Sequence, residues 1–340
     1  MTERESIFFE DIASVADASF VPWDKLRGST IFITGATGLI GTSVIRCLRY
    51  ANQKMGLNLK VTALVRNDAK AAERFAGELE EGFVKLVRGS VEEFPNLGDD
   101  EKVDYILHGA AQTASREFVE RPVETMRIAV TGTMNLLGFA RQKKAKGFVY
   151  LSSMEVYGYP EKGHRVTENE IGTLSPLTLR NSYPISKIMS EALCCAYAKE
   201  YGVPATICRL AQTFGPGVHE NDTRIFAYFA RCVREKRNIV LKTRGETERS
   251  YLYTTDAVTA LLTVLLKGEP GKAYNAANEE TYCSIAEMAQ KVAQNAGIKV
   301  EYDLQDASVN GFPDTLYMNL DTSALRALGW SIHNLEIGGR

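Results

Sequence analysis

Tyr183 and Lys187 form a Tyr-x-x-x-Lys pair whose residue types suit proton transfer. Side chains four residues apart share one face of a helix, so the lysine ammonium can lie beside the phenol. A nearby positive charge favours the phenolate and lowers the pKa of a tyrosine from its usual value of about 10. The spacing therefore predicts a group that takes the proton of an alcohol.

A glycine-rich turn over residues 35–41 has the spacing Gly-x-x-Gly-x-x-Gly and follows the β-rich run 29–34. Between a strand and a helix, such a turn lets backbone N–H groups approach a pyrophosphate, and the helix N-terminus adds a favourable potential. A tight turn that binds no ligand is the alternative. The pattern predicts a dinucleotide that exchanges hydride with the alcohol carbon. The predicted cofactor-binding residues of the turn are Gly35, Thr37, Gly38, Leu39, Ile40 and Gly41.

Arg66 follows the second predicted strand, at the position that decides how the adenosine ribose is bound. An acidic residue there would accept a hydrogen bond from the 2′-hydroxyl of NAD, whereas a basic residue accommodates the 2′-phosphate of NADP. Arg66 therefore favours NADP. NAD stays open, because Arg66 can instead stack on adenine while Asp68 reaches the ribose.

Ser153 and Glu155 directly follow an apolar strand, so their side chains are expected at the carboxyl edge of the sheet, where open α/β folds bind ligands. Ser153 can donate a hydrogen bond to the hydroxyl that is oxidised. Glu155 can act as a general base, or as a buried acid that transfers a proton. The structural alternatives are a strand-end cap for Ser153 and a solvated loop charge for Glu155.

Short apolar runs alternate with helical patterns along the first two thirds of the chain, which predicts a parallel sheet with helices on both faces. The predicted strands are 29–34, 59–65, 83–88, 103–107, 147–152 and 204–210, and the predicted helices are 39–50, 68–80, 123–143 and 183–200. Residues 1–28 are interpreted as an N-terminal extension packed on the core. Residues 29–212 form mainly the first lobe and 213–340 mainly a second, with the chain crossing between them.

Composition and charge exclude several classes of function. The net charge of -2 provides no basic field for nucleic acid. No run of about 18 apolar residues predicts a membrane span, and the charged N-terminus does not resemble a signal peptide, so a cytoplasmic location is expected. The six cysteines and four histidines lack metal-ligand spacing, and no metal site is predicted.

The chain resembles the extended short-chain dehydrogenase/reductase family, in particular its nucleotide-sugar epimerases, dehydratases and decarboxylases. The matching segments are Thr34–Gly41, His108–Gln112, Gly132–Leu137, Ser152–Gly158, Tyr183–Lys187, Arg209–Pro216 and Arg249–Asp256. The resemblance runs from about residue 29 to Trp330 and implies a Rossmann-type doubly wound parallel sheet. It also implies a smaller mixed α/β lobe that binds a nucleotide-diphosphate sugar, and a homodimer.

Residue by residue, the resemblance makes Ser153, Tyr183 and Lys187 a catalytic triad. Ser153 orients the substrate, Tyr183 takes the hydroxyl proton, and Lys187 lowers the tyrosine pKa and binds the nicotinamide ribose. Asn135 matches an asparagine that supports the active site. Further cofactor contacts are expected from Ser90, Val91, Ala110 and Ala111, and substrate contacts from Thr113, Met154, Gln212, Arg224 and Arg249.

Two of these substrate positions carry an open question. Gln212 stands where many relatives have asparagine near the sugar-nucleotide phosphates. Arg249 matches an arginine that meets the diphosphate or the sugar, and the alternative for it is a surface salt bridge with Glu246 or Glu248.

Met154 and Glu155 bear on which reaction follows. The 4,6-dehydratases of the family carry Thr-Asp-Glu where this chain has Ser153-Met154-Glu155, and methionine cannot donate the proton that expels the 6-hydroxyl. A standard 4,6-dehydratase is therefore disfavoured. The chain also resembles UDP-glucuronate decarboxylases over Arg180–Tyr183 and Gly245–Ser250.

The expected activity is oxidation of a sugar hydroxyl at C4 to a transient keto intermediate with bound NAD or NADP, followed by decarboxylation or epimerisation. One alternative is a net NADPH-dependent reductase of a keto-sugar or other carbonyl. The other is a non-catalytic family member that senses the cofactor.

Overall fold

The computed structural model describes residues 3–98, 100–305 and 314–333. Within these ranges the strands are β1 (Thr30–Thr34), β2 (Lys60–Val65), β3 (Val84–Arg88), β4 (Tyr105–His108), β5 (Gly147–Ser153), β6 (Arg165–Val166), β7 (Ala205–Leu210), β8 (Gln212–Phe214), β9 (Ile239–Leu241), β10 (Glu248–Tyr253), β11 (Ala273–Ala276), β12 (Asn278–Ser284), β13 (Val300–Tyr302) and β14 (Tyr317–Leu320).

The α-helices of the same ranges are α1 (Glu3–Ala16), α2 (Leu39–Met55), α3 (Asp68–Arg74), α4 (Ala76–Glu80), α5 (Ser115–Glu120), α6 (Pro122–Gln142), α7 (Ser182–Tyr201), α8 (Ile225–Arg234), α9 (Thr254–Lys267), α10 (Ile285–Ala296) and α11 (Ser323–Ala327). Three short 3₁₀ turns cover Trp23–Leu26, Met154–Tyr157 and Leu179–Asn181.

Seven strands form the main sheet in the order β11-β7-β5-β4-β1-β2-β3, and every pair is parallel. Successive side chains of a strand point to opposite faces, so Ile31 and Ile33 of β1 join one apolar cluster and Phe32 joins the other. Helices α2 and α9 cover the first face, and α6 and α7 cover the second. The predicted Rossmann-type sheet is confirmed.

A second sheet has the order β12-β10-β14-β6, with β8 added beside β10. Helices α8 and α10 pack around a separate apolar cluster that contains Phe229, Leu241, Tyr251 and Met288. The mixed α/β lobe predicted beside the main sheet is therefore present.

The chain returns from the second sheet to the main one after β10. Helix α9 packs on β5 and β7, and β11 pairs with β7 from Ala273 to Ala276 as the edge strand of the main sheet. The chain thus contributes to the main sheet on both sides of β8–β10. The assignment of 29–212 and 213–340 to separate functional lobes stays a prediction.

Two predicted segments differ in detail from the structure. The single helix predicted over 68–80 is divided into α3 and α4 at Phe75, whose backbone leaves the helical region and whose side chain is fully buried. The predicted extension over 1–28 contains α1, which packs on α2 and α9 and buries Val15, and the segment after it buries Val21 and Leu26.

Candidate active site

The glycine turn leaves β1 and enters α2 at the carboxyl edge of the main sheet. Gly35 has a φ of +70°, and a Cβ there would lie 2.6 Å from the backbone of Gly109, which follows β4. A Cβ on Gly41 would lie 2.3 Å from the carbonyl oxygen of Gly35. The first backbone N–H groups of α2 lack partners within the helix. The turn therefore presents bare backbone donors at the crevice between β1 and β4, where the strand order reverses.

The loops after β2 and β3 line the next part of the same crevice. Arg66 is exposed at the end of β2, and Ser90 Oγ accepts a hydrogen bond from the backbone N–H of Glu93 at 2.9 Å. Val91 is buried, and Asn135 Nδ2 donates to its carbonyl oxygen at 2.9 Å. The predicted support from Asn135 thus acts here on the loop after β3.

A buried histidine fixes the segment after β4. His108 Nδ1 shares a hydrogen bond with Thr34 Oγ1 at 2.8 Å, and Nε2 shares one with Thr133 Oγ1 at 3.1 Å. The Thr34 hydroxyl also accepts from the backbone N–H of Ala110 at 3.1 Å. Burial, aided by the charge of Lys187, lowers the pKa of His108 to about 3, so the ring stays neutral and structural.

The three predicted catalytic residues meet where β5 ends. Ser153 is the last residue of β5, and Tyr183 and Lys187 lie on successive turns of α7. Lys187 Nζ donates to the carbonyl oxygen of Leu151 at 2.6 Å and lies 5.7 Å from the centre of the Tyr183 ring. Both α7 side chains are buried. The structure therefore brings the three residues together at one point of the cavity.

The electrostatics of Tyr183 differ from the prediction that Lys187 lowers its pKa. Burial raises the pKa of Tyr183 well above its usual value, the charge of Glu155 adds to this, and hydrogen bonding to Ser153 only partly opposes it. Burial also lowers the pKa of Lys187 to about 8, against the raising effect of Glu191. A buried phenol favours its neutral form, because little water is present to solvate the phenolate.

Glu155 forms an ion pair with Arg180 at 3.0 Å, and both side chains line the cavity. Arg180 lies 4.8 Å from the ring centre of Phe118, which stacks on Tyr183 with ring centres 4.3 Å apart. Glu155 is therefore neither a lone solvated charge nor an isolated buried acid. Phe118 is an aromatic wall for the catalytic tyrosine that the sequence did not single out.

The predicted substrate residues are distributed along the cavity. Met154 directly follows Ser153 and is buried, and Thr113 is exposed in the loop after β4. Arg249 Nη1 donates to Gln212 Oε1 at 2.7 Å across neighbouring β10 and β8, while its buried Nε has no partner among the described residues. Arg224 is held by a bidentate pair with Asp222.

The alternative of a salt bridge between Arg249 and its acidic neighbours is absent from the described side chains. Glu248 instead pairs with Lys162 at 2.9 Å and accepts a hydrogen bond from Tyr282.

A single cavity of about 1500 Å³ is lined by every residue that the sequence predicted for catalysis, cofactor and substrate. It runs from the glycine turn, past the end of β5, to β10 of the second sheet and to β9, which pairs with β13 in a separate two-stranded sheet. The individual roles of these residues stay predictions. Arg74 of α3 was not among the residues predicted from the sequence. Its Nη1 donates to the carbonyl oxygen of Thr37 at 2.9 Å, and this bond stiffens the glycine turn.

The sequence is similar to those of enzymes that act on nucleotide sugars. It is 32% identical to human dTDP-D-glucose 4,6-dehydratase over 286 residues, which cover 80% of this chain and 76% of that protein. It is 31% identical to UDP-glucuronic acid decarboxylase 1 of Xenopus tropicalis over 58% of this chain. That match spans only 46% of the frog protein, somewhat less than half its length.

Similarity in three dimensions covers more of the chain. The structure of a dTDP-glucose 4,6-dehydratase from Streptomyces venezuelae, solved with NAD bound, superposes with a TM-score of 0.72 at 22% identity. The superposition covers 90% of this chain and 92% of that one. Among the described residues, no helix is long and apolar enough to cross a membrane.

A family model also matches this sequence directly. It describes the NAD dependent epimerase/dehydratase family and matches residues 31–277, most of the chain. The match includes the glycine turn, the end of β5 and the Tyr183–Lys187 pair, which are the parts that the cavity brings together. The chain therefore belongs to the NAD-dependent epimerase/dehydratase family.

Proposed function

We propose that the protein oxidises a hydroxyl of a nucleotide-diphosphate sugar, at C4, to a transient keto intermediate with bound NAD or NADP. Decarboxylation or epimerisation then follows, and the cofactor is recycled. The observation that carries the proposal is the single cavity that joins the glycine turn, the Ser153–Tyr183–Lys187 group and Arg249. One end of this cavity suits a redox cofactor, and the other suits an anionic sugar nucleotide.

The cofactor end fits a dinucleotide because the backbone itself forms the cradle. Side chains at Gly35 or Gly41 would collide with backbone atoms of Gly109 or Gly35, so the tight turn that brings the N-terminus of α2 to the crevice requires glycine at both positions. The N–H groups of Leu39 and Ile40 at the start of α2 would hold the pyrophosphate, and Lys187 would hold the nicotinamide ribose. When bound, the oxidised nicotinamide supplies a hydride acceptor and a positive charge.

The chain's own residues handle the proton. Ser153 orients the hydroxyl that is oxidised, and Tyr183 accepts its proton and later returns it. Because burial raises the pKa of Tyr183 in the protein alone, proton acceptance needs positive charge beside the phenol. Lys187, with a pKa of about 8, is one source of that charge at neutral pH.

The substrate end suits a diphosphate. Among the described residues, Nε of Arg249 has no partner, and Nη1 donates to Gln212, so the guanidinium is oriented by β10. Guanidinium groups bind phosphate oxygens in a bidentate manner. Nucleotide sugars are also the substrates named for the relatives, dTDP-D-glucose and UDP-glucuronic acid.

Met154 and Glu155 favour decarboxylation or epimerisation over 4,6-dehydration. A buried methionine at the cavity wall offers no proton to a leaving hydroxyl. Glu155 is occupied by its ion pair with Arg180. Loss of carbon dioxide from a β-keto acid needs no proton donor at that position, and neither does rotation of a 4-ketone to present its other face.

Tyr183→Phe tests the proposed catalysis. The variant is expected to lose about 10²- to 10⁴-fold in turnover, because it lacks the proton acceptor. Its affinity for NAD is expected to stay close to that of the unaltered protein. Retained turnover in this variant would contradict the proposed role of Tyr183.

Mass spectrometry after incubation with UDP-, dTDP-, CDP- and GDP-sugars, including UDP-glucuronate, identifies the reaction. Loss of carbon dioxide from the sugar means decarboxylation, and loss of water means dehydration, which the proposal disfavours. An unchanged mass with a shifted retention time means epimerisation.

A net NADPH-dependent carbonyl reductase is the second candidate, and the exposed Arg66 at the end of β2 favours it. A reductase consumes added NADPH in proportion to product, whereas a recycled cofactor copurifies with the protein and is not consumed. Stoichiometric oxidation of added NADPH in the presence of a keto-sugar would therefore replace the first proposal with the second.

A further inference from the structure

A buried ion pair lies directly behind the catalytic residues. Glu191 of α7 and Arg209 of β7 are joined by Nη2–Oε2 at 2.7 Å and by Nε–Oε1 at 3.0 Å, with 7% and 5% of their side chains exposed. The Ser152 hydroxyl donates to Glu191 Oε1 at 2.5 Å. Arg209 Nη1 also donates to the Tyr157 hydroxyl at 2.8 Å. The carboxylate is thus fixed from two strands.

The positions of these residues along α7 repeat every helical turn. Tyr183, Lys187 and Glu191 are each four residues apart, so they lie on one face of the helix. Lys187 holds the carbonyl oxygen of Leu151, and Glu191 holds the hydroxyl of Ser152. Two turns of α7 therefore clamp the two residues of β5 that immediately precede Ser153.

The titratable groups that face Lys187 lie on its own helix and on strands β4 and β5. On its own helix it faces Glu191, Cys194 and the Tyr183 ring, and Tyr150 of β5 lies under its Nζ at 4.5 Å. On β4, His108 lies close enough for the charge of Lys187 to lower its pKa.

The neutral groups among these supply no counter-charge. Burial keeps the pKa of the Cys194 thiol and the Tyr150 phenol well above their usual values and that of His108 near 3. Among these neighbours, Glu191 is thus the one carboxyl group, and Arg209 faces it from β7.

We propose that Glu191 is a positioning residue of the active site, which fixes the end of β5 through Ser152 and supplies the buried counter-charge for Lys187. The inference rests on the proposed catalytic role of Lys187. Burial alone drives Lys187 toward its neutral form, and Glu191 opposes this. The hydrogen bonds from Arg209 hold the Glu191 carboxylate in place beside β5.

The test measures the titration of Lys187 directly, without substrate. Lysines isotope-labelled at Cε are followed by NMR across pH, and the Lys187 signal is assigned as the one missing from a Lys187→Arg variant. In Glu191→Gln, which keeps a hydrogen-bonding group of the same shape, the pH midpoint of the Lys187 titration is expected to fall by about one pH unit or more. In the matched Glu191→Asp variant, which keeps the charge, the midpoint is expected to stay near its original value.

An unchanged Lys187 midpoint in folded Glu191→Gln overturns the proposal, because the ion pair would then serve only packing between α7 and β7. If Glu191→Gln does not unfold cooperatively, the double variant Glu191→Gln with Arg209→Met removes both buried charges. In the double variant the Lys187 titration midpoint is expected to fall by less than in Glu191→Gln. An unchanged midpoint in the double variant would also overturn the proposal. Since no turnover is measured, failure here is distinguishable from failure of Tyr183→Phe to lose activity.

Discussion

At its cofactor end the cavity is lined by backbone, whereas at its substrate end it is lined by long side chains. Gly35 and Gly41 leave no room for a Cβ. Arg249 and Gln212 meet across two strands of the second sheet through a single side-chain hydrogen bond. The shape of the cofactor end therefore depends on the absence of side chains, so that end tolerates few substitutions. The substrate end depends on the side chains present, so substitutions there can change which ligand binds.

Gly41→Ala is expected to have the largest effect at the cofactor end. The new Cβ would lie 2.3 Å from the Gly35 carbonyl oxygen, so the turn or α2 must shift. We expect the free energy of unfolding to fall by about 1–3 kcal/mol and the affinity for NAD to fall by about tenfold or more. Denaturant unfolding and titration with NAD measure the two effects.

Gly138→Ala in α6 is the matched control, since no heavy atom lies within 4 Å of its Cβ position. Alanine there is expected to leave NAD binding unchanged and to stabilise the helix by up to about 1 kcal/mol. Equal NAD affinity in both variants would mean that the glycine turn does not form the cofactor cradle.

Arg249→Met is expected to act selectively on the substrate end. Loss of charge-assisted hydrogen bonds to a diphosphate is expected to raise the dissociation constants of UDP and dTDP by about 10- to 100-fold, with NAD binding unchanged. Arg237→Met is the control, because that guanidinium pairs with Glu235 outside the cavity. Its effect is expected to stay below about fivefold. Isothermal titration with each nucleotide distinguishes the two arginines, and equal effects would remove Arg249 from the proposed phosphate site.

Arg66→Ala is expected to give the smallest effect and bears on the choice of cofactor. An exposed cation contributes about 1 kcal/mol or less to binding a phosphate, so NADP affinity is expected to fall by about fivefold and NAD affinity by less. Lys70→Ala, an exposed charge on α3 outside the cavity, controls for the loss of general positive charge. If NADP and NAD weaken alike, the preference for NADP is wrong.

Six strands of the main sheet could be predicted, because each is identified by its local sequence, whereas the edge strand β11 was not predicted. In β1, Ile31, Phe32 and Ile33 are fully buried on alternating faces, and a glycine turn follows. The second sheet could not be predicted in the same way. Its strands β6 and β14 pair residues near 166 and 320, and no local pattern encodes a partner so distant in sequence. The break of the helix at Phe75 depends on a core position for that ring, which is a tertiary effect.

The candidate site follows the same division. The residue types and spacing of Tyr183 and Lys187 sufficed to place them together, since a helix fixes neighbours four residues apart. The sign of the pKa shift on Tyr183 did not follow from spacing, because it depends on burial against Phe118 of α5. The ion pair of Glu155 with Arg180 likewise joins residues 25 positions apart across a loop. Glu191 was within reach of prediction, as the next turn after Lys187.

The return of the chain to the main sheet has a consequence for building hybrids with relatives. Strand β10, which carries Arg249, ends at Tyr253, and α9 begins at Thr254 without an intervening loop. A transplant cut only near residue 212 would therefore remove α9 and the edge strand β11 from the recipient. A new ligand specificity has to be grafted as two separate inserts, on either side of the segment 254–276. One junction then falls directly after β10, the strand that carries Arg249.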